Sequence, residues 1–393
     1  IVKTELADIK DRFGDERRTT IEYSDGEISI EDMIVKEKVV ITISNLGYIK
    51  RTKISEYKAQ GRGGRGSRGS KTRNADFIEH MFVATTHDYL LFFTEKGRCY
   101  WLRVYEIPEA SKTSSGRVLQ RIIQLPADDK VRAYIKVPDL TDEEFLKNHY
   151  VIFCTKNGKI KKTPVEAFSR PRSNGINAIT INEGDQLIEV KLTNGNNNIL
   201  IASRSGRAIQ FPEAKVRSMG RSAAGVRGIF LDGEEDRAVG MICVDPSDAD
   251  TENNTTVLVI SEKGQGKRSE IAEYRETNRG GKGVKTMKIT DKTGLLSTIK
   301  AVEATDDLMI TSKEGIVIRT AVDSISVMGR ATQGVRIIKL SKKDEIADVA
   351  IIKYSADDEI PTDEDADDAN VSDAEIVEGN NDAPTVENNT EEE

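Results

Sequence analysis

Short apolar runs recur along the chain, and the same polar turn follows each of them. In six places a Ser or Thr closes the run and a Gly stands three residues later, a spacing that suits a tight turn with glycine in the left-handed region. The runs are short and rich in β-branched or aromatic residues, which predicts buried strands. They occupy residues 39–43, 90–93, 150–154, 199–202, 257–260 and 308–310.

The turn glycines keep a common phase with two further positions. They are Gly47, Gly97, Gly158, Gly206, Gly264 and Gly315, separated by 50, 61, 48, 58 and 51 residues. An apolar or aromatic residue lies ten residues after each, and a second glycine lies nineteen after it in five units. The second glycines are Gly66, Gly116, Gly225, Gly283 and Gly334, with Gly175 two residues early in the third unit. Six units in phase indicate one supersecondary module used six times.

The content of each unit predicts the architecture. About four strands in about 50 residues is the content of one propeller blade. Six blades close a disc and leave no long sheet edge exposed. Stacking into a solenoid is the alternative, which the mostly four-stranded unit and the absence of helical periodicity disfavour. The predicted fold class is all-β, a six-bladed propeller-like disc over residues 39–355.

The region before the repeats predicts a helix and a linker. An apolar stripe at helical spacing is followed by Gly14, which predicts a short helix over residues 1–14. The stripe consists of Val2, Leu6, Ile9 and Phe13. Residues 15–38 are charged and contain an Asp25-Gly26 turn signal, so they predict a linker and a first strand. The helix is expected to be the end of an upstream element, in a piece of a longer protein.

The net charge of −8 conceals two regions of opposite sign. Residues 356–393 contain sixteen Asp and Glu and no Lys or Arg. Residues 1–355 hold 58 basic and 50 acidic side chains. The acidic segment has almost no aromatic or long apolar content, which predicts a disordered C-terminal tail.

Catalytic constellations are hard to find in the sequence. The histidines His80, His87 and His149 are not spaced like a metal site, and no Cys-x-x-Cys pair, Gly-x-Ser-x-Gly elbow or Walker A loop occurs. Two overlapping Gly-x-Gly-x-x-Gly matches within residues 61–69 lack the strand–helix unit that dinucleotide binding needs. The three cysteines are interpreted as buried thiols of a protein in a reducing cytoplasm. No apolar run approaches the roughly 20 residues needed to cross a bilayer.

Positive charge is the chemistry that recurs in phase. Between the apolar position and the second glycine, every unit is basic and nearly free of carboxylates. Loops of common phase should emerge on one rim, and their regularly spaced positive charges would match a rigid polyanion bent around that rim. Duplex DNA is such a polyanion, with one negative charge per roughly 1.7 Å of its axis. Such binding would depend on charge and DNA deformability. The candidate DNA-binding residues in these loops are Lys71, Arg73, Arg117, Arg121, Arg170, Arg172, Arg217, Arg221, Arg227, Arg279, Lys282, Lys285, Arg330 and Arg336.

Other interpretations of the basic loops stay open at this point. A run of charges is often only a solvated face, and the Arg-Gly-Gly sequence also occurs in disordered RNA-binding tracts. A propeller that scaffolds proteins would need aromatic hot spots, and Trp101 is the only tryptophan. An enzymatic propeller would need convergent carboxylates or ligands.

The densest basic segment also carries a resemblance. Gln60-Gly61-Arg62-Gly63-Gly64-Arg65-Gly66 resembles the signature box of the DNA gyrase A family. Residues 47–51 and 56–59 look like the first blade of that family, and residues 15–19 resemble its linker. The family has a basic residue where this chain has Gly61, and Arg68 follows two residues past the box. With six units and the acidic tail, the resemblance covers essentially the whole chain and points to the C-terminal domain.

The resemblance implies a fold and a role for the box. The implied fold is a six-bladed β-pinwheel whose blades exchange strands, with DNA wrapped around the rim with positive handedness. Arg62, Arg65 and Arg68 would clamp phosphates, the box glycines would allow close approach, and the box would join the first and last blades.

The resemblance also implies the wider context. The domain would be a non-catalytic part of an ATP-dependent type IIA topoisomerase, in which wrapping makes strand passage introduce negative supercoils. The nucleophilic tyrosine, the metal-binding domain and the ATPase lie outside this sequence, so no cofactor is expected here and ATP and Mg²⁺ act elsewhere. The implied partners are double-stranded DNA, the N-terminal part of gyrase A and the whole of gyrase B in an A2B2 assembly in the bacterial cytoplasm, with no membrane. The equivalent domain of topoisomerase IV, associated with a degenerate or absent box, is the alternative.

Overall fold

A computed structural model describes residues 2–15, 19, 30–44, 46–53, 78–111, 113–246, 255–314, 316–341 and 344–352. All of these residues belong to one compact unit, formed by residues 1–57 and 68–354. Several predictions fall outside the described residues and stay predictions. They concern the Asp25-Gly26 turn, Gln60–Gly66 with Arg68, Lys71 and Arg73, and the tail at 356–393.

Three α-helices occur in the described ranges, and one of them was predicted. They are α1 Val2–Phe13, α2 Leu119–Ile122 and α3 Glu143–Asn148. Helix α1 carries the predicted stripe, and the Gly14 N–H donates to Lys10 O at 2.8 Å where it ends. Helix α3, capped by the Asp142 carboxylate, lies in the longest interval of the repeat and accounts for part of its extra length. Among the helices described, none is long and apolar enough to cross a membrane.

Apart from short 3-10 helices, the remaining elements of the described chain are strands, numbered in chain order. They are β1 Lys38–Ser44, β2 Tyr48–Lys53, β3 Ile78–Thr85, β4 Tyr89–Thr94, β5 Arg98–Arg103, β6 Arg117–Val118, β7 Val131–Val137, β8 Tyr150–Thr155, β9 Lys159–Pro164, β10 Ile176–Asn177, β11 Leu187–Thr193, β12 Asn198–Ser203, β13 Arg207–Pro212, β14 Val226–Arg227, β15 Ala238–Val244, β16 Thr256–Ser261, β17 Gln265–Glu270, β18 Val284–Lys285, β19 Leu296–Val302, β20 Asp307–Ser312, β21 Val317–Ala321, β22 Val335–Arg336 and β23 Ile346–Ile352.

The strands form six small antiparallel sheets on one plan. The orders are β3-β1-β2-β6, β7-β4-β5-β10, β11-β8-β9-β14, β15-β12-β13-β18, β19-β16-β17-β22 and β23-β20-β21, the last with three strands among the described residues. The six predicted strands are β1, β4, β8, β12, β16 and β20, and each lies inside its sheet. The predicted six-bladed, propeller-like fold is confirmed.

The recurring Ser/Thr-x-x-Gly forms the predicted turn in the five units whose glycine is described. In the first unit the Gly47 N–H donates to Ser44 O at 2.8 Å, and the Ser44 hydroxyl accepts from Tyr48 N at 3.1 Å. Gly47 has a φ of +79°, a region that side chains with a Cβ rarely adopt. The hydroxyl residue and the glycine are therefore both needed to close the hairpin between β1 and β2.

The outer strand of five sheets comes from the following unit, which is the strand exchange that the resemblance implied. These strands, β6, β10, β14, β18 and β22, have two residues each and begin directly after the second glycine. A Cβ on Gly283 would lie 2.2 Å from Ala208 O on β13, so the pairing of β18 with β13 requires this glycine.

The apolar segment that follows the second glycine is only partly a strand. In the sixth unit it comprises residues 335–340, and β22 ends at Arg336. Ile337 N and Ile338 N both donate to Gly264 O, at 2.9 and 3.4 Å, so the chain turns there and buries Ile338.

The inner strands lie next to one another in a closed succession. β7, β11, β15, β19, β23 and β3 are neighbours in that order. The rings of Phe82 on β3 and Tyr134 on β7 stack at 4.6 Å and complete the circle. Because the inner strands meet at the centre, the exchanged strands lie at the periphery of the propeller.

Apolar residues fill the spaces between neighbouring sheets. The rings of Phe93, Phe153 and Phe168 join the second and third sheets, with centroids 5.4 and 5.7 Å from that of Phe93. The apolar position ten residues after the first glycine is buried in the five units where it is described. Its residues are Ile107, Phe168, Val216, Tyr274 and Ile325.

Candidate nucleic-acid interface

The basic segment of each described unit contacts the strand of the preceding sheet on which the exchanged strand pairs, namely β2, β5, β9, β13 or β17. Isolated parallel bridges join Arg51 with Glu109, Lys162 with Ser218, Gln210 with Glu276, and Arg268 with Val327. The third unit uses the Trp101 indole N–H instead, which donates to Phe168 O at 2.9 Å. The exchanged strand follows each contact. We call these segments the outer loops, namely residues 109–118, 168–177, 218–227, 276–285 and 327–336. The five lie at the periphery, because each ends in an exchanged strand.

The predicted DNA-binding residues divide into two groups within the described loops and the segments beside them. Exposed side chains are those of Arg117, Arg121, Arg170, Arg172, Arg217, Arg227, Lys282, Lys285 and Arg336. Half-buried side chains are those of Arg221, Arg279 and Arg330, each of which stands four residues before the second glycine of its unit.

Two of the half-buried arginines connect successive outer loops. The Arg279 guanidinium donates to Lys215 O at 3.2 Å and to Arg227 O at 3.1 Å. The Arg330 guanidinium donates to Lys285 O at 2.8 Å. These side chains therefore hold the loops together, a role that the sequence did not indicate, and each guanidinium has further N–H donors.

Like charges face each other across the peripheral edges. Arg227 on β14 lies directly opposite Lys159 on β9, and Lys285 on β18 lies directly opposite Arg207 on β13. Opposed like charges destabilise an antiparallel pair. Lys159 and Arg207 were not among the predicted residues. The signal that could have found them is the basic residue directly after the first glycine.

Three arginines from different segments surround one pocket. The cavity has a volume of about 400 Å³. It is lined by Arg98 on β5, by Arg172 in the outer loop of the third unit and by Arg221 in that of the fourth unit. The Arg98 guanidinium also donates to Asn174 O at 2.8 Å. Planar guanidinium groups bind phosphate oxygens well, so this cavity has the chemistry of an anion site.

Three lysines are buried beneath alternate outer loops. Lys50, Lys161 and Lys267 are 2%, 0% and 0% exposed and stand three residues after the first glycine of units one, three and five. The other units have Tyr100, Ile209 and Ile318 at this position. Lysine is rarely buried. The sequence contains one signal of these buried side chains, which is the lysine that recurs at this position in alternate units.

The buried ammonium groups bond to backbone carbonyls of the outer loops. Lys161 Nζ donates to Arg221 O and to Ala178 O at 2.6 Å each. Lys50 Nζ donates to Ser114 O at 2.9 Å, and Lys267 Nζ donates to Gly329 O at 2.6 Å. Each lysine therefore supports an outer loop from within.

Burial changes the acidity of two of these lysines. Burial, together with the smaller effect of the positive charge of Arg221, lowers the pKa of Lys161 to about 7. Burial lowers the pKa of Lys267 to about 8, with Glu273 opposing the shift and Arg330 adding to it. The unfolded chain then binds more protons than the folded chain between these values and the ordinary lysine pKa of 10.5.

We expect stability to depend on pH through these lysines. Between pH 7 and 10 these lysines progressively lose their protons in the folded form, so burying them costs less. The free energy of unfolding therefore rises with pH over this range. The melting temperature of K161M/K267M should not show this rise with pH. The difference in melting temperature between the variant and the unmodified chain should therefore change by a few degrees from pH 7 to 10. I209M, at the equivalent position of the fourth unit, is the control. Parallel pH profiles for the unmodified chain and the double variant would contradict the assignment.

The cysteines and the residue types that bind metals were the other candidate groups. Cys99, Cys154 and Cys243 are free, and burial raises the pKa of each thiol. Within the ranges that the structure describes, no group of three or more His, Cys, Asp or Glu side chains is placed to hold a metal ion.

Comparison with known proteins places this arrangement in a family. The family described as DNA gyrase C-terminal domain, beta-propeller, matches residues 38–85, 88–137, 149–194, 197–245, 255–303 and 306–353. The A subunit of DNA gyrase from Staphylococcus epidermidis (strain ATCC 12228) is 43% identical over 358 residues, covering 91% of this chain and 39% of the relative. The A subunit of DNA gyrase from Staphylococcus aureus (strain NCTC 8325) is 42% identical over 365 residues, covering 93% and 40%. The chain thus spans about two fifths of the length of these relatives.

Two solved structures share the fold. A crystal structure of the C-terminal domain of DNA topoisomerase IV has a TM-score of 0.68 at 25% identity, covering 82% of this chain and 95% of that one. A structure of the DNA gyrase A C-terminal domain has a TM-score of 0.61 at 26% identity, covering 81% and 100%. Each of the six matched segments supplies three strands of one sheet, and the chain belongs to the family of DNA gyrase C-terminal, β-propeller domains.

Proposed function

We propose that this chain is a non-catalytic domain that binds and wraps duplex DNA as part of DNA gyrase A. The observation that carries the proposal is the pairing of like charges at the peripheral edges, Arg227 with Lys159 and Lys285 with Arg207. A fold gains nothing from such pairs in water, because they repel each other. A phosphate backbone lying along the edge would neutralise both members of each pair.

The position of the charges favours wrapping over simple binding. The outer loops repeat around the periphery, so a duplex that follows them has to bend. Bending 20–30 bp by 40–90° costs about 1–6 kcal/mol, which contacts along the track have to offset. Since phosphate contacts carry no sequence information directly, binding should be largely independent of sequence.

The family supplies the remaining parts of the proposal. Wrapping with positive handedness would let ATP-dependent strand passage introduce negative supercoils. The partners would be the rest of gyrase A and the whole of gyrase B in an A2B2 assembly in the bacterial cytoplasm, with ATP and Mg²⁺ used in those other regions. Arg62, Arg65 and Arg68, outside the described residues, would clamp one end of the wrapped DNA.

A topoisomerase IV domain is the second candidate function. The observation that favours it is the TM-score of 0.68 with the C-terminal domain of that enzyme. The box at residues 60–66 favours gyrase, because the resemblance associates topoisomerase IV with a degenerate or absent box. Supercoiling by an assembled enzyme that contains this chain would separate the two.

Removal of one like-charged pair tests the proposal directly. In R207A/K285A the slope of log affinity against log salt should become about 1.8 shallower, because each lost phosphate contact removes about 0.9. The melting temperature should stay equal or rise, because the repulsion is gone. R12A/K147A removes the same charge from exposed ion pairs outside the outer loops and serves as the control. An unchanged slope in R207A/K285A would reject this edge as a DNA contact.

A further inference from the structure

The outer loop of the fifth unit carries a glycine pattern that the other described outer loops lack. Residues 279–283 have the sequence Arg-Gly-Gly-Lys-Gly, and residues 62–66 have Arg-Gly-Gly-Arg-Gly. Both segments end on the second glycine of their unit, so they occupy the same phase of the repeat. The matching residues of the other units, 112–116, 171–175, 221–225 and 330–334, contain no consecutive glycines.

We propose that residues 279–283 form a second DNA-clamping loop, which grips the sugar-phosphate backbone at the edge of the fourth sheet. The proposal rests on the wrapping function proposed above and adds a second point at which the bent duplex is held. Three features of the loop support it, namely its fixed backbone, a glycine that the fold does not require, and the cations around that glycine.

The loop backbone is fixed from both directions. Thr277 N donates to Gln210 O at 2.9 Å, and Gly280 N donates to Gly228 O at 2.6 Å. Gly281 O accepts from Phe230 N at 2.9 Å. With the Arg279 guanidinium bridging two carbonyls, the loop needs little ordering when a ligand binds, which favours affinity.

Gly281 is not required by the fold. Its φ lies outside the left-handed region, and an added Cβ would meet only Ile209 Cδ1 at 3.5 Å and Asn278 O at 3.9 Å, which are ordinary contacts. The same phase position holds Ala223 in the fourth unit and Thr332 in the sixth. The residue is exposed, so its bare backbone leaves room for a phosphate to approach closely.

An exposed aromatic ring lies beside residues 279–283 and the exchanged strand β14. Phe230 is 37% exposed, with Lys282 Nζ 5.1 Å and Arg227 Cζ 5.9 Å from the centre of its ring. Lys282 also contacts Asp232 at 3.3 Å. Cation–π contacts of this kind keep both cations at a fixed spacing beside Gly281. Lys282, Arg227 and the Gly281 backbone thus form one surface that suits consecutive phosphates of a duplex.

A second clamp changes how bent DNA is retained. A stiff duplex pulls away from a curved surface at whichever end is not held. Clamping loops in the first and fifth units would hold the duplex at two separated points of the track. The loops between them would then only need to neutralise charge.

The test uses the full chain and a duplex of about 150 bp, one persistence length, with a fluorophore at each end. In G281A we expect binding to persist while energy transfer between the ends is lost. In K282A we expect the same loss, with a salt slope about 0.9 shallower. G220A, in the fourth outer loop, is the control for the first, because an added Cβ there meets nothing within 4 Å. K147A is the control for the second, because Lys147 has an exposed ion pair with Glu143.

The outcomes separate the two proposals. Loss of energy transfer in G281A and K282A, but not in G220A and K147A, supports the second clamp. If the unmodified chain compacts the duplex and both loop variants compact it equally well, the second clamp is wrong and wrapping stands. If the unmodified chain does not compact the duplex, both proposals fail. Because Lys282 is exposed, K282A decides the matter if G281A does not fold.

Discussion

DNA affinity should fall about 10³- to 10⁵-fold between about 50 and 200 mM salt. This range corresponds to about six to ten neutralised phosphates, each of which releases condensed counterions when a Lys or Arg contacts it. The exposed basic side chains of the described outer loops and the opposed residues Lys159 and Arg207 are numerous enough to supply that many contacts.

The measurement is a titration of several unrelated duplexes at a series of salt concentrations. Duplexes of different sequence should give the same slope, because phosphate contacts carry no sequence information directly. A salt-insensitive interaction, or binding to a single sequence only, would exclude the wrapping function. Binding of single-stranded RNA in preference to duplex DNA would favour the interpretation of residues 60–66 as an RNA-binding tract.

Replacing Arg62, Arg65 and Arg68 together by Ala should abolish compaction while leaving the DNA bound. The outer loops of the other units keep the duplex on the surface, so affinity should fall only a few-fold. The bent duplex stores about 1–6 kcal/mol of elastic energy, and releasing one end lets it straighten. In a holoenzyme assembled from full-length gyrase A and gyrase B, we expect supercoiling to be lost and relaxation and decatenation to be retained.

The matched control removes three exposed arginines from elsewhere on the track. R121A/R170A/R172A takes away the same charge from the second and third units. Affinity by titration and the distance between labelled DNA ends should be measured for both triple variants. The control should weaken binding and keep compaction. If compaction survives in R62A/R65A/R68A, the box is not an anchor and its arginines are assigned wrongly.

The sequence predicted the plan of the sheets well, because that plan depends on local backbone requirements. A hydroxyl residue and Gly47 close a hairpin through hydrogen bonds within four residues, so the pattern is visible wherever the turn occurs. The second glycine was harder to interpret. Gly283 is needed because Ala208 O of the preceding unit is close, and no local pattern reveals a neighbour 75 residues away.

The site was predicted less completely than the fold. The phase of the basic residues indicated a common edge, but phase does not show where a side chain points. Arg279 and Arg330 extend to carbonyls of the preceding outer loop, whereas Arg227 and Lys285 face outwards. Lys161 was missed because lysine in a sequence indicates solvent, and only the packed fold shows an ammonium group beneath a loop.

Strand exchange sets a limit on how this domain can be inherited. A repeat as it is encoded is not a sheet as it is folded, because each of five sheets takes its outer strand from the next repeat. A recombination event that replaced one repeat would lay a foreign strand on a native sheet and a native strand on a foreign sheet. Both junctions would depend on the fit of a glycine such as Gly116 against Ile49 O, which a Cβ would approach to 2.5 Å. A blade can therefore be gained or lost only where the exchanged strand of one repeat already fits the sheet of the repeat that becomes its new neighbour.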